Sequence, residues 1–283
     1  MSRETVVTRF APSPTGYLHL GHVRSALEGW RAAREAGGRF LLRIEDIDHT
    51  RCRPEYDSAI IEDLRWLRLD WDGPVRRQSE HFDDYRAALA KLEAMGLLYP
   101  CFCTRREIQA EIARAGGAPQ GDMGAPYPGT CRSLSAAERE ERLRSAGDYA
   151  LRLDIGMALA RSGPLYWHEH DARIEAEPAS LGDVVLARKE IPTSYHLAVT
   201  VDDAVQGVTL VTRGIDLFAA THIHRLLQAL LGLPVPHYRH HPLLTDAHGR
   251  RLAKRDRALT IRAMREAGRT PEDVWIEAQS SGR

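Results

Sequence analysis

Residues 9–22 read Arg-Phe-Ala-Pro-Ser-Pro-Thr-Gly-Tyr-Leu-His-Leu-Gly-His, and the order of elements in this segment indicates the fold class of the chain. It starts inside a strand-like run at 5–10, passes through a proline-containing turn, and enters a segment with apolar residues at helical spacing. His19, Gly21 and His22 therefore fall at the start of a predicted helix, where backbone amides and the helix dipole favour anions. This geometry predicts a phosphate site. A His-x-x-His pair alone is weak support, because such pairs are as often surface or core residues.

The first hundred residues alternate between strand-like and helix-like periods. Strands are predicted at 5–10 and 39–45, with a helix between them that stops at Gly37 and Gly38. Two amphipathic helices follow, around residues 60–67 and 82–92. Such alternation implies a parallel sheet covered by helices. The predicted fold class is therefore α/β, with a Rossmann-like parallel sheet as the nucleotide-binding core.

The pattern changes between residues 99 and 191, which we interpret as an inserted mixed α+β subdomain. It contains short predicted strands at 149–155 and 183–188, and a Gly/Pro-rich stretch. A strand, a helix and a strand at 205–212, 217–231 and 238–244 then predict the second half of the sheet, and the last forty residues are predicted to be helical. The expected units are residues 1–98, 99–191, 192–245 and 246–283.

The composition is that of an ordinary globular protein. Of 283 residues, 43% are hydrophobic and 28% charged, and no apolar run approaches the about 18 residues that indicate a membrane span. The N-terminus has no signal pattern, so we expect a cytoplasmic protein with no membrane contact. The formal net charge is zero, which argues against nucleic-acid binding by bulk charge alone.

Positive charge is nevertheless concentrated between residues 239 and 269. This tract is interpreted either as a solvated helical face or as a phosphate-facing surface, and charge alone favours neither. Within it, residues 249–256 read Gly-Arg-Arg-Leu-Ala-Lys-Arg-Asp, a basic loop of the kind that can close over a phosphate chain. Lys254 is the candidate to neutralise charge on departing pyrophosphate.

Cys101, Cys103 and Cys131 lie within 31 residues of one another, whereas Cys52 stands apart. In a cytoplasmic protein of this size, these cysteines indicate either a metal site or no functional role. They do not indicate a disulfide framework. Tetrahedral zinc needs four ligands, so the three thiolates leave the fourth ligand unassigned. The alternative to a metal site is that the cysteines are simply buried or free.

Two of these motifs together resemble class I aminoacyl-tRNA synthetases of the glutamyl kind. Residues 9–22 resemble the family's HIGH signature, and residues 250–255, RRLAKR, resemble its KMSKS loop, although Arg251 and Ala253 stand where Lys and Ser are common. Residues 192–203 and 207–216 resemble the family's glutamate-pocket strand and its following loop. The resemblance covers nearly the whole chain.

The resemblance implies a glutamate site at Arg9, Phe10, Ala11, Pro12, Ser13, Glu45, Tyr195 and Arg213. Its chemistry is sensible, because arginine forks suit carboxylates, an acid suits the substrate ammonium group, and a tyrosine adds a neutral hydrogen bond. The alternatives are purely structural roles. The two arginines would form ion pairs with Asp46 or Asp216, and Glu45 would be exposed to solvent at the end of its strand.

The resemblance further implies ATP as a substrate bound by His19, Gly21, His22 and Lys254, with Mg²⁺ on the triphosphate. The α-carboxylate of glutamate would attack the α-phosphorus and give glutamyl-adenylate and pyrophosphate, with no covalent enzyme intermediate; His19, His22 and Lys254 are the catalytic candidates. Zinc-bearing members show a Tyr-x-x-x-Cys spacing that Tyr127 and Cys131 match, implying one structural Zn²⁺ on Cys101, Cys103, Tyr127 and Cys131. His81 and Asp122 remain alternatives for the fourth ligand.

Only 28 residues follow Arg255, whereas full-length members continue into helical anticodon-binding domains. We therefore expect no anticodon-binding domain and a monomer. The chain resembles a shortened branch of the family that activates L-glutamate without bound tRNA and transfers it to queuosine in the anticodon loop of tRNA(Asp). The rival interpretations are a tRNA(Glu) synthetase that needs a partner protein, an inactive homologue that binds RNA or regulates, and a glutamate ligase with another acceptor.

Overall fold

The computed structural model describes residues 5–104, 106–108, 126–145, 147–244 and 260–280. The predicted basic loop with Lys254, and Asp122, lie outside the described residues. The strands are β1 Val7–Phe10, β2 Arg39–Ile44, β3 Arg76–Arg77, β4 Leu98–Cys101, β5 Ala150–Leu153, β6 Tyr166–Glu169, β7 Ala172–Glu175, β8 Val185–Arg188, β9 Leu210–Gly214 and β10 His237–His241. The longer helices are α1 Leu20–Glu35, α2 Pro54–Trp66, α3 Phe82–Ala94, α4 Ala136–Ser145, α5 Ile155–Ser162, α6 Tyr195–Val205, α7 Ala220–Leu231, α8 Ile261–Glu266 and α9 Pro271–Gln279.

The central sheet is made of two parallel halves that meet in the middle. Strands β1, β2 and β3 pair in parallel on one side, and β9, β10 and β6 pair in parallel on the other. The halves are joined where the Thr209 amide, just before β9, donates to the Val7 carbonyl at 2.9 Å. The predicted α/β fold with a parallel core is confirmed.

Helix α1 packs on the centre of this sheet. The Thr8 hydroxyl donates to the Gly29 carbonyl at 2.7 Å, and a β-carbon at Gly29 would lie 2.9 Å from Oγ1 of Thr212. Glycine is therefore needed at this point for the helix to approach both central strands. Its buried face, which includes Val23 and Leu27, joins the main apolar core. This packing fixes the N-terminus of α1 over the ends of β1 and β9.

The predicted insertion contains an antiparallel sheet of order β4-β5-β8. Its other hairpin, β6–β7, instead extends the central sheet, because Glu169 of β6 lies in parallel register with Tyr238 of β10. Residues 99–191 therefore contribute to both sheets. The boundaries at 98, 191 and 245 stay predictions.

Residues 192–203 were predicted to include a strand, and that prediction is wrong because this segment enters helix α6. The Ser194 side chain caps the helix by accepting from the Leu197 amide at 3.4 Å. Three successive β-branched residues, 199–201, favour a strand by local propensity. Burial of Leu197 through Asp203 outweighs that preference, since tertiary packing commonly overrides weak local propensities. The following segment, 207–216, contains β9 Leu210–Gly214, which overlaps the strand that the sequence pattern predicts at 205–212, whereas the loop implied by the resemblance is wrong for these residues.

The described part of the C-terminus is helical, as predicted. Trp275 of α9 lies with its ring centroid 5.8 Å from that of Trp30 in α1, and its indole donates to the Leu67 carbonyl at 3.1 Å. These contacts attach the last helix to α1 and to the end of α2. Among the described helices, none is both long and apolar enough to cross a membrane.

Candidate active site

A cavity of about 600 Å³ opens at the carboxyl ends of the parallel strands. Ligand sites in open α/β sheets occur at this edge, where the two halves of the sheet diverge. The structure brings together in its wall every candidate glutamate and nucleotide residue that lies within the described ranges. These are Arg9, Phe10, Ala11, Pro12, Ser13, His19, Gly21, His22, Glu45, Tyr195 and Arg213.

The two histidines at the start of α1 cap the helix reciprocally. Nδ1 of His19 accepts from the Gly21 amide at 3.1 Å, and Nδ1 of His22 accepts from the His19 amide at 3.2 Å. A neutral imidazole that accepts at Nδ1 carries its proton on Nε2. A β-carbon at Gly21 would lie 3.0 Å from Cε1 of His19, so glycine leaves room for this ring. The helix start therefore presents two oriented imidazole rings to the cavity, each an N–H donor at Nε2.

Arg213, near the end of β9, is a buried cation whose hydrogen-bond partners are all neutral side chains. Within the described ranges it forms no ion pair with a carboxylate. Its guanidinium contacts Nε2 of His240 at 3.1 Å, the Tyr195 hydroxyl at 3.3 Å, Nδ1 of His224 at 3.2 Å and Oγ1 of Thr221 at 2.6 Å. Its positive charge is therefore available to an anion in the cavity.

Arg9 has a different environment, because it is paired inside the protein. Its Nε lies 3.0 Å from Oδ1 of Asp203, and its Nη2 lies 3.4 Å from Oδ2. Arg43 reaches the same carboxylate at 2.8 Å. The alternative partners considered from the sequence, Asp46 and Asp216, are wrong for Arg9 because Asp203 occupies its fork.

Glu45 follows β2 and is 8% exposed, so the alternative that it ends a strand in solvent is wrong. Burial raises the pKa of its carboxyl to about 7, against the opposing effect of the Arg43 and Arg9 guanidinium groups. Asp203 also raises this pKa by like-charge repulsion. A cation that binds in the cavity therefore stabilises the ionised form of the Glu45 carboxyl group.

Tyr195 is the first residue of α6, so the Ser194 cap that starts the helix also places this side chain. Its hydroxyl accepts from Arg213, and burial raises the pKa of the phenol. The ring stays neutral and directs its oxygen toward the arginine. Tyr195 thus lines the cavity together with the positive Arg213 and the acidic Glu45.

The buried charges behind this wall were not predicted from the sequence. Asp202 accepts from Arg76 at 2.8 Å, from Gln78 at 2.8 Å and from the Tyr85 hydroxyl at 2.9 Å, next to the Asp203–Arg43 pair. One signal in the sequence was available. Charged residues stand inside the otherwise apolar strand 39–44 and helix 195–205, and buried charges are rare unless they are paired.

The three clustered cysteines meet in space, with their sulfur atoms within 4.8 Å of one another. The Tyr127 hydroxyl lies 3.4 Å from Sγ of both Cys101 and Cys103. These spacings fit tetrahedral coordination by three thiolates and one oxygen, given Zn–S bonds of about 2.3 Å. The cluster could hold a metal ion. His81 lies instead 4.0 Å from Asp84, and Cys52 is outside the cluster.

A second cavity of about 1030 Å³ adjoins the first and shares Ser13, Glu45, Tyr195 and Asp216 with it. Its far wall belongs to the predicted insertion. There the guanidinium of Arg152 stacks 3.8 Å over the Tyr127 ring, beside the buried Asp183. The first cavity therefore continues into a cleft large enough for a second substrate.

The described arginines near the C-terminus are all paired with glutamates. Arg262 binds Glu266, Arg265 binds Glu62 and Arg269 binds Glu277, at 3.1, 2.7 and 2.6 Å. They belong to the arginine-rich tract whose function the sequence left open. In this part of the tract, the structure favours a solvated face whose charges are already balanced.

A parallel sheet with a cavity at the carboxyl ends of its strands is typical of nucleotide-binding enzymes. Residues 5–276 match the family described as tRNA synthetases class I (E and Q), catalytic domain, and the chain belongs to this family, as its motifs predicted. A protein named Glutamyl-Q tRNA(Asp) synthetase from Rhodobacter capsulatus is 51% identical over 275 residues, covering 95% of this chain and 98% of that protein. A protein of the same name from Nocardia farcinica is 48% identical, covering 94% of this chain and 81% of that protein.

Longer family members match as well. The crystal structure of a glutamate-tRNA synthetase from Elizabethkingia anophelis superposes with a TM-score of 0.76 at 30% identity, covering 89% of this chain and 53% of that one. A Glutamate--tRNA ligase from Aquifex aeolicus is 40% identical, covering 95% of this chain and 56% of that protein. This chain therefore spans about half the length of these two proteins.

Proposed function

We propose that this protein activates L-glutamate with ATP, without bound tRNA, and then transfers the glutamyl group to queuosine in the anticodon loop of tRNA(Asp). The proposed activation of glutamate rests on the environment of Arg213. A buried guanidinium surrounded by neutral partners lowers its free energy when an anion binds, and a side-chain carboxylate in the cavity supplies that anion.

Glutamate has three charged groups, and the cavity wall offers a complement to two of them. The side-chain carboxylate binds Arg213 and Tyr195, and the ammonium group binds Glu45. The floor of the cavity is formed by Arg9 and its neighbours Phe10, Ala11, Pro12 and Ser13. Because Asp203 already balances Arg9, this arginine adds hydrogen-bond donors to the site but little net charge. The α-carboxylate is then left to face the nucleotide.

ATP lies against His19, Gly21 and His22 at the N-terminus of α1. The Nε2–H groups of the two histidines donate to phosphate oxygens there. The α-carboxylate attacks the α-phosphorus, the bond to the β-phosphate oxygen breaks, and pyrophosphate leaves. Lys254, on the loop that resembles KMSKS, neutralises the leaving group. Mg²⁺ on the triphosphate supplies further charge neutralisation, and we assign it no protein ligand.

The second half of the proposal is supported by the names of the relatives that match along most of their length. The acceptor nucleophile on queuosine attacks the acyl carbon of glutamyl-adenylate, and AMP leaves with the bonding electrons. The adjoining cleft of about 1030 Å³ provides room for that nucleotide next to Glu45 and Tyr195. We place the reaction in the cytoplasm, where a monomer acts on free tRNA.

The cysteine cluster is proposed to hold one structural Zn²⁺ through Cys101, Cys103, Tyr127 and Cys131. Four protein ligands leave no open coordination position, so the ion has no part in the chemistry. Its effect is to fix Tyr127, whose ring supports Arg152 in the wall of the cleft.

The proposal is tested in two stages in one reaction mixture. Glutamate-dependent exchange between ATP and pyrophosphate is measured without tRNA, and radiolabelled glutamate is then offered to tRNA(Asp) with and without queuosine. Exchange followed by queuosine-dependent labelling supports both halves. Exchange with no labelling of either tRNA overturns the acceptor and points to another amine or hydroxyl, and no exchange points to an inactive homologue.

A further inference from the structure

Arg213 is connected to the partly buried carboxylate of Glu169 through one histidine. His240, on β10, faces Arg213 with Nε2 at 3.1 Å from the guanidinium Nε. Its other ring nitrogen, Nδ1, lies 2.7 Å from Oε2 of Glu169 on β6. The backbone amide of His240 donates to the second oxygen, Oε1, also at 2.7 Å. Glu169 thus binds His240 twice, at the ring and at the main chain.

These contacts fix which nitrogen of His240 carries the proton. A guanidinium can only donate, so Nε2 of His240 has to accept. An ionised carboxylate can only accept, so Nδ1 has to donate to Glu169. Burial and the Arg213 charge lower the pKa of His240 to about 4, so the ring is neutral at physiological pH. Glu169 therefore selects the tautomer that presents a lone pair to Arg213.

We propose that Glu169 and His240 are positioning residues that hold the guanidinium of Arg213 toward the substrate carboxylate, through a neutral imidazole whose tautomer Glu169 sets. This inference rests on the proposed glutamate site. A charged partner in the place of His240 would cancel the charge of Arg213, as Asp203 does for Arg9. A neutral acceptor orients the guanidinium and leaves its charge for the ligand.

Of the described residues around His240, Glu169 alone can perform this role. The rings of Trp167 and Phe218 contact it at centroid distances of 6.1 and 5.2 Å, and Tyr238 stacks at 6.2 Å. The polar neighbours are Thr221, with Oγ1 at 3.5 Å, and His241, which is positioned next along the chain. Among the described residues, Glu169 is the acid that bonds to this ring.

The Glu169→Gln variant tests the tautomer with almost no change in volume. The backbone amide of His240 is an obligate donor and claims the single amide oxygen of the glutamine. The NH₂ group then faces Nδ1, which has to accept, and the ring proton moves to Nε2. The Nε2–H group of His240 and the Nε–H group of Arg213 then face each other, and both are donors. We expect the KM for glutamate in pyrophosphate exchange to rise about tenfold, with kcat changed less than about twofold.

A double-mutant cycle shows whether the effect passes through His240. In His240→Gln, the side-chain oxygen can accept from Arg213 whichever residue stands at position 169. Adding Glu169→Gln to that background should change KM by less than about twofold. The matched control is Glu175→Gln, an exposed glutamate on β7, which should behave as the unmodified protein. An unchanged or lowered KM in Glu169→Gln, or an equal rise in both backgrounds, overturns the proposal.

A measurement on the unmodified protein keeps the test independent of how the variants fold. Nitrogen-15 NMR distinguishes protonated from unprotonated ring nitrogens, and we expect His240 to carry its proton on Nδ1. A proton on Nε2 overturns the inference even if the enzyme is active. Conversely, absence of glutamate-dependent exchange in the unmodified protein defeats the proposed function while the tautomer is still read separately.

Discussion

The guanidinium of Arg9 and the carboxylate of Asp203 form a two-point ion pair inside the protein, although the residues are 194 positions apart in the chain. Arg43 shares the same carboxylate. The two arginines predicted to bind substrate therefore differ in their electrostatics. Arg9 is balanced internally, whereas Arg213 has neutral partners, so we assign the selective recognition of a side-chain carboxylate to Arg213.

Asp203→Asn should destabilise the fold strongly. It leaves Arg9 and Arg43 buried without their shared anion, and breaking a buried ion pair by removing one partner costs about 3–5 kcal/mol. Urea unfolding should show a decrease of that order in the free energy of unfolding. Asp148→Asn, at an exposed ion pair with Lys189, is the control and should change it by less than about 1 kcal/mol. Equal effects of the two variants would show that the Arg9 pair contributes little.

Arg213→Gln should leave the fold intact and abolish glutamate selectivity. No carboxylate among the described residues loses an ion pair when this cation is removed, so the unfolding midpoint should change little. Loss of charged hydrogen bonds to the substrate should lower kcat/KM for glutamate about 100-fold in pyrophosphate exchange. A variant that unfolds, or that keeps its preference for glutamate over glutamine, contradicts this role.

Glutamate use should depend on pH through Glu45. Its raised pKa, about 7, means that the free protein holds this carboxyl protonated below that pH and ionised above it. Only the ionised form pairs with the substrate ammonium group, so kcat/KM for glutamate should rise with pH through about 7 and then level off. Glu45→Gln should be slower and lack this rise. If the rise persists in the variant, another group is responsible for it.

The parts of the site that lie on local motifs could be predicted from the sequence. His19, Gly21 and His22 form one helix start, and the strand–turn–helix pattern around them is visible in a single stretch. Glu45 was placed at the end of its strand by the apolar run before it. The family resemblance was needed for Tyr195 and Arg213, because neither residue has a local pattern that marks a ligand.

The partners of these residues could not be predicted, because they come from distant segments brought together by the sheet. Asp203 reaches Arg9 from the end of α6, and that segment was expected to be a strand. Glu169 reaches His240 because β6 crosses into the central sheet from within the predicted insertion. Such pairings depend on strand order, and strand order is a long-range property that local periodicity does not contain.

The cysteine cluster should bind zinc in a manner that depends on three of the four cysteines. We expect about one zinc ion per chain in the purified protein by elemental analysis, and loss of most of it in Cys103→Ser. Cys52→Ser is the matched control and should keep its zinc, because this thiol lies outside the cluster. Metal removal should lower the melting temperature, since binding to the folded state stabilises it. If the purified protein contains no zinc, the cysteine cluster is not a zinc site.

We expect the buried guanidinium of Arg213, whose partners among the described residues are neutral, to select glutamate for activation without tRNA. The most direct measurement is ATP–pyrophosphate exchange by the unmodified protein in the absence of tRNA, with glutamate and glutamine compared at equal concentrations. Exchange that requires glutamate, with kcat/KM at least about 100-fold lower for glutamine, is the predicted result. Absence of exchange with glutamate, or equal exchange with both amino acids, would contradict it.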